Sequence, residues 1–163
     1  MLIAVDTNVL LDLASEMDDV IDAVFIIRHR LNKCQMVFPP TAREELAHEA
    51  SYADSFDKQE RARHALQVAR SSNIQPADLL ETQHDMARRM GRRPRKLGLL
   101  PEEEVNDALI LAEAALLNCA ILLTTDAHLR GIDFMRLALE FKACSVAAPI
   151  IATPREVVHK FFV

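Results

Sequence analysis

Two short apolar runs that each stop at an aspartate constrain the fold more than any other feature. Residues 2–5 lead into Asp6-Thr7-Asn8, and residues 120–123 lead into Thr124-Thr125-Asp126. Runs of this length, bounded by polar turn residues and separated by helical patterns, read as buried strands of a parallel sheet. The first is followed by an apolar helical stretch at 9–13. Met17, Val20, Ile21, Val24, Ile27 and Leu31 then recur at three- and four-residue intervals, which predicts an amphipathic helix over 17–34. Residues 35–38 form the next strand candidate, stopped by Pro39-Pro40, after which Thr41 opens a helix carrying Glu44, Glu45, Leu46 and Glu49. A parallel sheet covered by helices is the expected α/β architecture.

The middle of the chain is less regular. Helical patterns cover 58–70 and 79–90 with a break near 73–78, and together residues 55–98 read as a helical insertion or arm within a single domain spanning 1–163. It closes in ARRMGRRPRKLG, where Arg88, Arg89, Arg92, Arg93, Arg95 and Lys96 crowd beside Gly91, Pro94 and Gly98, a composition that predicts an exposed, partly mobile segment. Pro101 is suited to the first position of a helix running to 118, with Glu102, Glu103 and Glu104 in its first turn. A helix at 133–142 with Asp133 as its N-cap, a last strand within 146–152 and a short helix opened by Thr153-Pro154 complete the chain.

With 163 residues, 50% of them apolar and 26% charged, the chain can build one core without staples. Its three cysteines, Cys34, Cys119 and Cys144, are odd in number and widely spaced, so they read as core thiols in a reducing compartment. The opening MLIAVDTN has no basic, cleavable apolar segment and no window reaches membrane-spanning length, so the expectation is a cytoplasmic protein without membrane attachment. A net charge of -5 argues against coating nucleic acid by bulk electrostatics and leaves room for a local basic patch.

Asp6 and Asp126 both stand at carboxyl ends of strands, the edge where open parallel sheets bind ligands; each also suits a helix N-cap. Asp107 lies in a stretch from 105 to 117 that is apolar nearly all round, and on a helical wheel it falls between Leu111 and Ala114. A carboxylate there needs a cation, an arginine partner or a raised pKa. Thr41-Ala42-Arg43-Glu44 matches a capping box, which gives Glu44 a structural task and leaves Glu45 free, about 100° further round the helix. The six histidines show no zinc spacing, His128 reads as a surface turn residue, and Asp12, Asp18 and Asp19 read as a solvated face. No phosphate-binding glycine loop or nucleophile elbow is present.

The segments IAVDTNVLLDL, Glu45-Leu46, NDALILAEAA, LLTTDAHL and ATPREVV, in that order, resemble the PIN-domain family. The likeness spans nearly the whole chain outside 55–98. It implies a three-layer α/β/α sandwich with a short parallel sheet and a pocket for Mg2+ or Mn2+ built by Asp6, Glu45, Asp107 and Asp126. Asn8 and Thr124 match positions that support that pocket. Two adjacent glutamates leave Glu44 open as the second acid. The implied activity is metal-dependent endonucleolytic hydrolysis of RNA, because hard divalent ions on carboxylates can activate water beside a phosphodiester. The run from Arg88 to Lys96 is the candidate RNA-binding surface, or else a solvated loop, with Arg43 and Arg130 as weaker candidates. Resemblance to toxins of toxin–antitoxin pairs implies a small antitoxin partner and a homodimer. The competing expectations are a catalytically silent PIN-like module that binds RNA or protein, and phosphotransfer, which the Asn8 position and the absence of a suitable lysine disfavour.

Overall fold

The computed structural model describes residues 1–31 and 33–161. Among them, five strands form one parallel sheet in the order β3-β2-β1-β4-β5. β1 (Leu2–Val5) lies at its centre, with Ala4 opposite Val37 of β2 (Gln35–Phe38) on one side and Leu122 of β4 (Ile121–Leu123) on the other. Ile3, Ala4 and Val5 are fully buried, as expected for a strand covered on both faces by helices. β3 (Ile74–Pro76) and β5 (Ile150–Ala152) are the edges. Pro76, which has no N–H to donate, sits on an edge strand where that loss is tolerated. The architecture is the expected α/β sandwich.

Helices α1 (Thr7–Ala14), α2 (Asp18–His29), α3 (Pro40–Tyr52) and α4 (Phe56–Ser71) come first. They are followed by α5 (Glu81–Lys96), α6 (Val105–Leu116), α7 (Ala127–Arg130), α8 (Phe134–Lys142) and α9 (Pro154–Phe161). α4 packs on α1 and α3, α5 on α6, and α2 on α9. The segment at 55–98 thus supplies an edge strand and two helices packed on neighbouring elements. Of the helix expected over 17–34, residues 18–29 are helical, and position 32 lies outside the described residues; so do 162 and 163 of the expected 1–163 domain.

Three expectations are corrected. The arginine-rich run is not a mobile loop: α5 continues through Gly91 and Pro94 to Lys96. Its buried stripe is Ala87, Met90, Gly91 and Pro94, a helical spacing that directs the arginines outward. Gly91 is a packing residue, since a Cβ there would lie 3.0 Å from the Ala108 carbonyl oxygen of α6. The terminating glycine is Gly98, at φ +67°, where the Gly98 N–H reaches the Arg95 carbonyl at 3.0 Å and the Leu99 N–H reaches that of Pro94 at 2.8 Å. That double closure is the usual left-handed helix stop.

Second, α6 begins at Val105 rather than Pro101. The chain turns first, with the Glu104 N–H on the Pro101 carbonyl at 3.2 Å and the Val105 N–H on that of Glu103 at 2.7 Å. Third, no capping box forms at Thr41. α3 starts one residue earlier, with Pro39 as N-cap, and the Thr41 N–H and hydroxyl both donate to Glu113 of α6, at 3.0 and 2.8 Å. Glu113 is buried, so this polar interruption in an apolar helix is a structural anion at the start of α3.

Candidate metal centre

The carboxyl ends of β1 and β4 bring Asp6 and Thr124 together. The Asp6 N–H closes on the Leu123 carbonyl at 3.0 Å, which carries the sheet pairing one residue past the strands. Asp6 is 1% exposed. Its Oδ1 accepts the Thr7 N–H at 2.6 Å and its Oδ2 accepts the Thr124 hydroxyl at 2.6 Å. Burial pushes the Asp6 carboxyl up to about 6, against the pull of those two donors and with the help of the nearby charges of Glu45 and Asp126.

The Thr124 hydroxyl also accepts the Asp126 N–H at 3.0 Å. Asp126 caps the single-turn helix α7 through Leu129 N–H at 2.8 Å. Capping and a place in the acid cluster are therefore compatible, because each aspartate caps its helix through one oxygen and a carboxylate oxygen can accept more than one bond. On α3 the buried Ala42 and Leu46 fix the helix face, leaving Glu44 exposed and Glu45 half-buried. Glu45 accepts the Thr7 hydroxyl on one oxygen and the Asn106 amide, at 2.7 Å, on the other.

Asp107 projects from the first turn of α6, and its carboxyl is pushed up to about 8. Burial is the main cause, followed by the charges of Asp6, Asp126 and Glu104 and a hydrogen bond with Glu104. Among the described residues no lysine or arginine pairs with Asp6, Glu45, Asp107 or Asp126. The alternative of a buried arginine pair for Asp107 is therefore removed. Crowded carboxylates without a cationic partner suit hard divalent ions, which take oxygen ligands.

Several site residues were not expected. Thr7, not Asn8, touches an acid; Asn8 is exposed on the first turn of α1. Asn106 orients Glu45 from α6. His128 is no mere turn residue, since its Nδ1 lies 2.9 Å from Oε1 of Glu104. The ligand atoms of Glu104, Asp107 and His128 all lie within 4.8 Å of one another. Asp12 is half-buried rather than part of a solvated face; it accepts the Thr125 hydroxyl at 3.1 Å and meets Arg61 at 3.4 Å.

The basic run divides in two. Arg88 pairs with Asp85 at 2.6 Å, and Arg89 adds its charge to the same carboxylate. Arg93 pairs with Glu140 of α8 at 2.8 Å, and Arg95 donates to the Glu102 carbonyl at 2.8 Å. Arg92 and Lys96 are exposed and make no hydrogen bond or ion pair among the described residues. Gly91 packs on Ala108, the neighbour of Asp107, so α5 runs beside the acid pocket.

Comparison with known proteins agrees with this fold. A chain in the structure of VapBC2 from Rickettsia felis bound to a DNA fragment from their promoter superposes with a TM-score of 0.65 at 16% identity, covering 94% of this chain and 98% of that one. A chain of VapBC-1 from nontypeable Haemophilus influenzae does so with a TM-score of 0.61 at 16% identity and the same coverage, 94% and 98%. No curated protein matches the chain. The PIN domain model matches residues 3–135, a span that takes in Asp6, Glu45, Asp107 and Asp126, and the chain therefore belongs to the PIN domain family.

Proposed function

We propose that this protein is a metal-dependent endoribonuclease whose ion-binding acids are Asp6, Glu45, Asp107 and Asp126. PIN domains are generally nucleases, and the observation that carries the reading here is that Asp6 feels the charges of Glu45 and Asp126, and Asp107 those of Asp6 and Asp126, with no lysine or arginine among the described residues paired to any of the four. Mg2+ or Mn2+ held by the acids would supply an activated water and charge stabilisation at the phosphodiester. The chain's own residues prepare for this. Thr124 and the Thr7 N–H clamp Asp6, and Thr7 and Asn106 fix both oxygens of Glu45, so that neither carboxylate must be ordered when the ion arrives. Asp107, at about 8, holds a proton at neutral pH in the ion-free pocket and gives it up as a cation takes its place.

An acid pocket repels a polyanion, so the RNA backbone needs a positive surface beside it. Among the described residues Arg89, Arg92 and Lys96 make no hydrogen bond or ion pair and are the members of the basic run free to serve, whereas Arg93 and Arg95 reach from α5 to Glu140 and to the Glu102 carbonyl. The likeness to the VapBC structures supports a toxin of a toxin–antitoxin pair, with a small antitoxin protein as partner.

The test is incubation of purified protein with single-stranded and structured RNAs in Mg2+, Mn2+ or EDTA, beside Asp6→Asn and Asp107→Asn. Cleavage confined to wild type with metal supports the reading. Metal or RNA binding with no cleavage of any substrate would instead favour a silent binding module.

A further inference from the structure

We infer that Glu104, Asp107 and His128 form a cation position that shares Asp107 with the four-acid set and takes Mn2+ in preference to Mg2+. The inference rests on the metal-dependent reading above and deepens it by specifying the ion. Its basis is a donor set that the four acids lack. The α7 turn that is capped by Asp126 also carries His128, two residues on, toward the pocket. The early turn at 101–104 brings Glu104 back to the same place, with its carboxylate hydrogen-bonded to Asp107 and with one oxygen 2.9 Å from His128 Nδ1.

All three ligand atoms lie within 4.8 Å of one another, one nitrogen and two carboxylate oxygens. Adjacent ligands of an octahedral ion with bonds of about 2.1 Å stand about 3 Å apart. The Glu104–His128 separation of 2.9 Å is that of such a ligand pair, so an ion can be held by both atoms without drawing them together. Glu104 is 28% exposed and His128 is 50% exposed on their side chains, which leaves an entry path and room for coordinated water. As a surface ion pair alone the two would contribute little. As ligands they alter selectivity, because imidazole favours first-row transition ions whereas Mg2+ prefers an all-oxygen shell.

The test is pulsed electron paramagnetic resonance of Mn2+ added at limiting concentration to untagged protein, with Mg2+ competition, for wild type, His128→Ala and Glu104→Gln. Wild type should show nitrogen modulation from a bound imidazole and resist displacement by excess Mg2+. His128→Ala should lose the nitrogen signal and at least about tenfold of the preference for Mn2+ over Mg2+. Glu104→Gln should also reduce that preference while circular dichroism shows both variants folded. Bound Mn2+ without nitrogen modulation, or a signal and preference unchanged in His128→Ala, would overturn the inference. That result would leave the nuclease reading untouched, since the latter fails if cleavage persists in EDTA, in Asp6→Asn or in Asp107→Asn, or never occurs.

Discussion

α6 carries two inward carboxylates less than two turns apart, and their surroundings differ. Glu113 is the more deeply buried, at 4% exposure, yet both its oxygens meet donors from Thr41. Its carboxyl is raised by burial and pulled back by those two hydrogen bonds. Asp107 is less buried, faces Asp6, Asp126 and Glu104, and is pushed up to about 8. Burial therefore does not separate the structural acid from the proposed metal ligand. The accounting of donors does, because a carboxylate surrounded by other acids is complete only with a cation.

The comparison breaks most readily at the acid end. Asp6→Asn and Asp107→Asn should each lower cleavage by about a thousandfold or more, since each removes a charged ligand while keeping shape. Single-turnover assays on protein verified as folded would check this. At the other end, Glu113→Ala should destabilise the fold by about 2–3 kcal/mol, because the Thr41 N–H and hydroxyl are left buried without an acceptor. Glu113→Gln, which keeps an acceptor for one of them, should cost less. Urea unfolding measures both, and cleavage per folded molecule should remain that of wild type.

The same contrast has a pH signature. In ion-free protein, Asp107 and Asp6 bind protons more tightly when folded than when unfolded, so the stability they contribute is fully present below about pH 4. It is lost as pH rises through about 6 for Asp6 and about 8 for Asp107. Melting temperature without metal should therefore fall across this window, and Asp107→Asn should flatten its upper half. The smallest effect concerns substrate capture. Replacing Arg92 and Lys96 with alanine should weaken RNA binding and reduce the slope of log K against log salt by about 1.4, as expected for two lost phosphate contacts on a single strand.

The parallel sheet was legible because the strands are continuous apolar runs and the helices between them keep their period. Asp6 and Asp126 were visible at the strand ends, and Asp107 as a charge in an apolar helix. Glu45, not Glu44, lies near Asp6, but the capping-box reason for choosing it does not hold, since Thr41 is capped by Glu113 from another helix. Such long-range pairing leaves no local pattern. The continuity of α5 could have been read from the spacing of Ala87, Met90, Gly91 and Pro94, but glycine and proline count as breakers until the partner helix is known. Glu104 and His128 could not be linked, because a backbone turn at 101–104, rather than a repeat in the sequence, brings them together.

The most direct test of the pocket as a cation site is calorimetric titration of Mn2+ at pH 7 in two buffers of different ionisation enthalpy. Wild type should release protons on binding, because Asp107 must lose the one it holds, and Asp107→Asn should bind more weakly with that release abolished. Tight binding with no proton release from wild type, or identical titrations for the two proteins, would contradict the assignment of Asp107 as an uncompensated acid awaiting a metal ion.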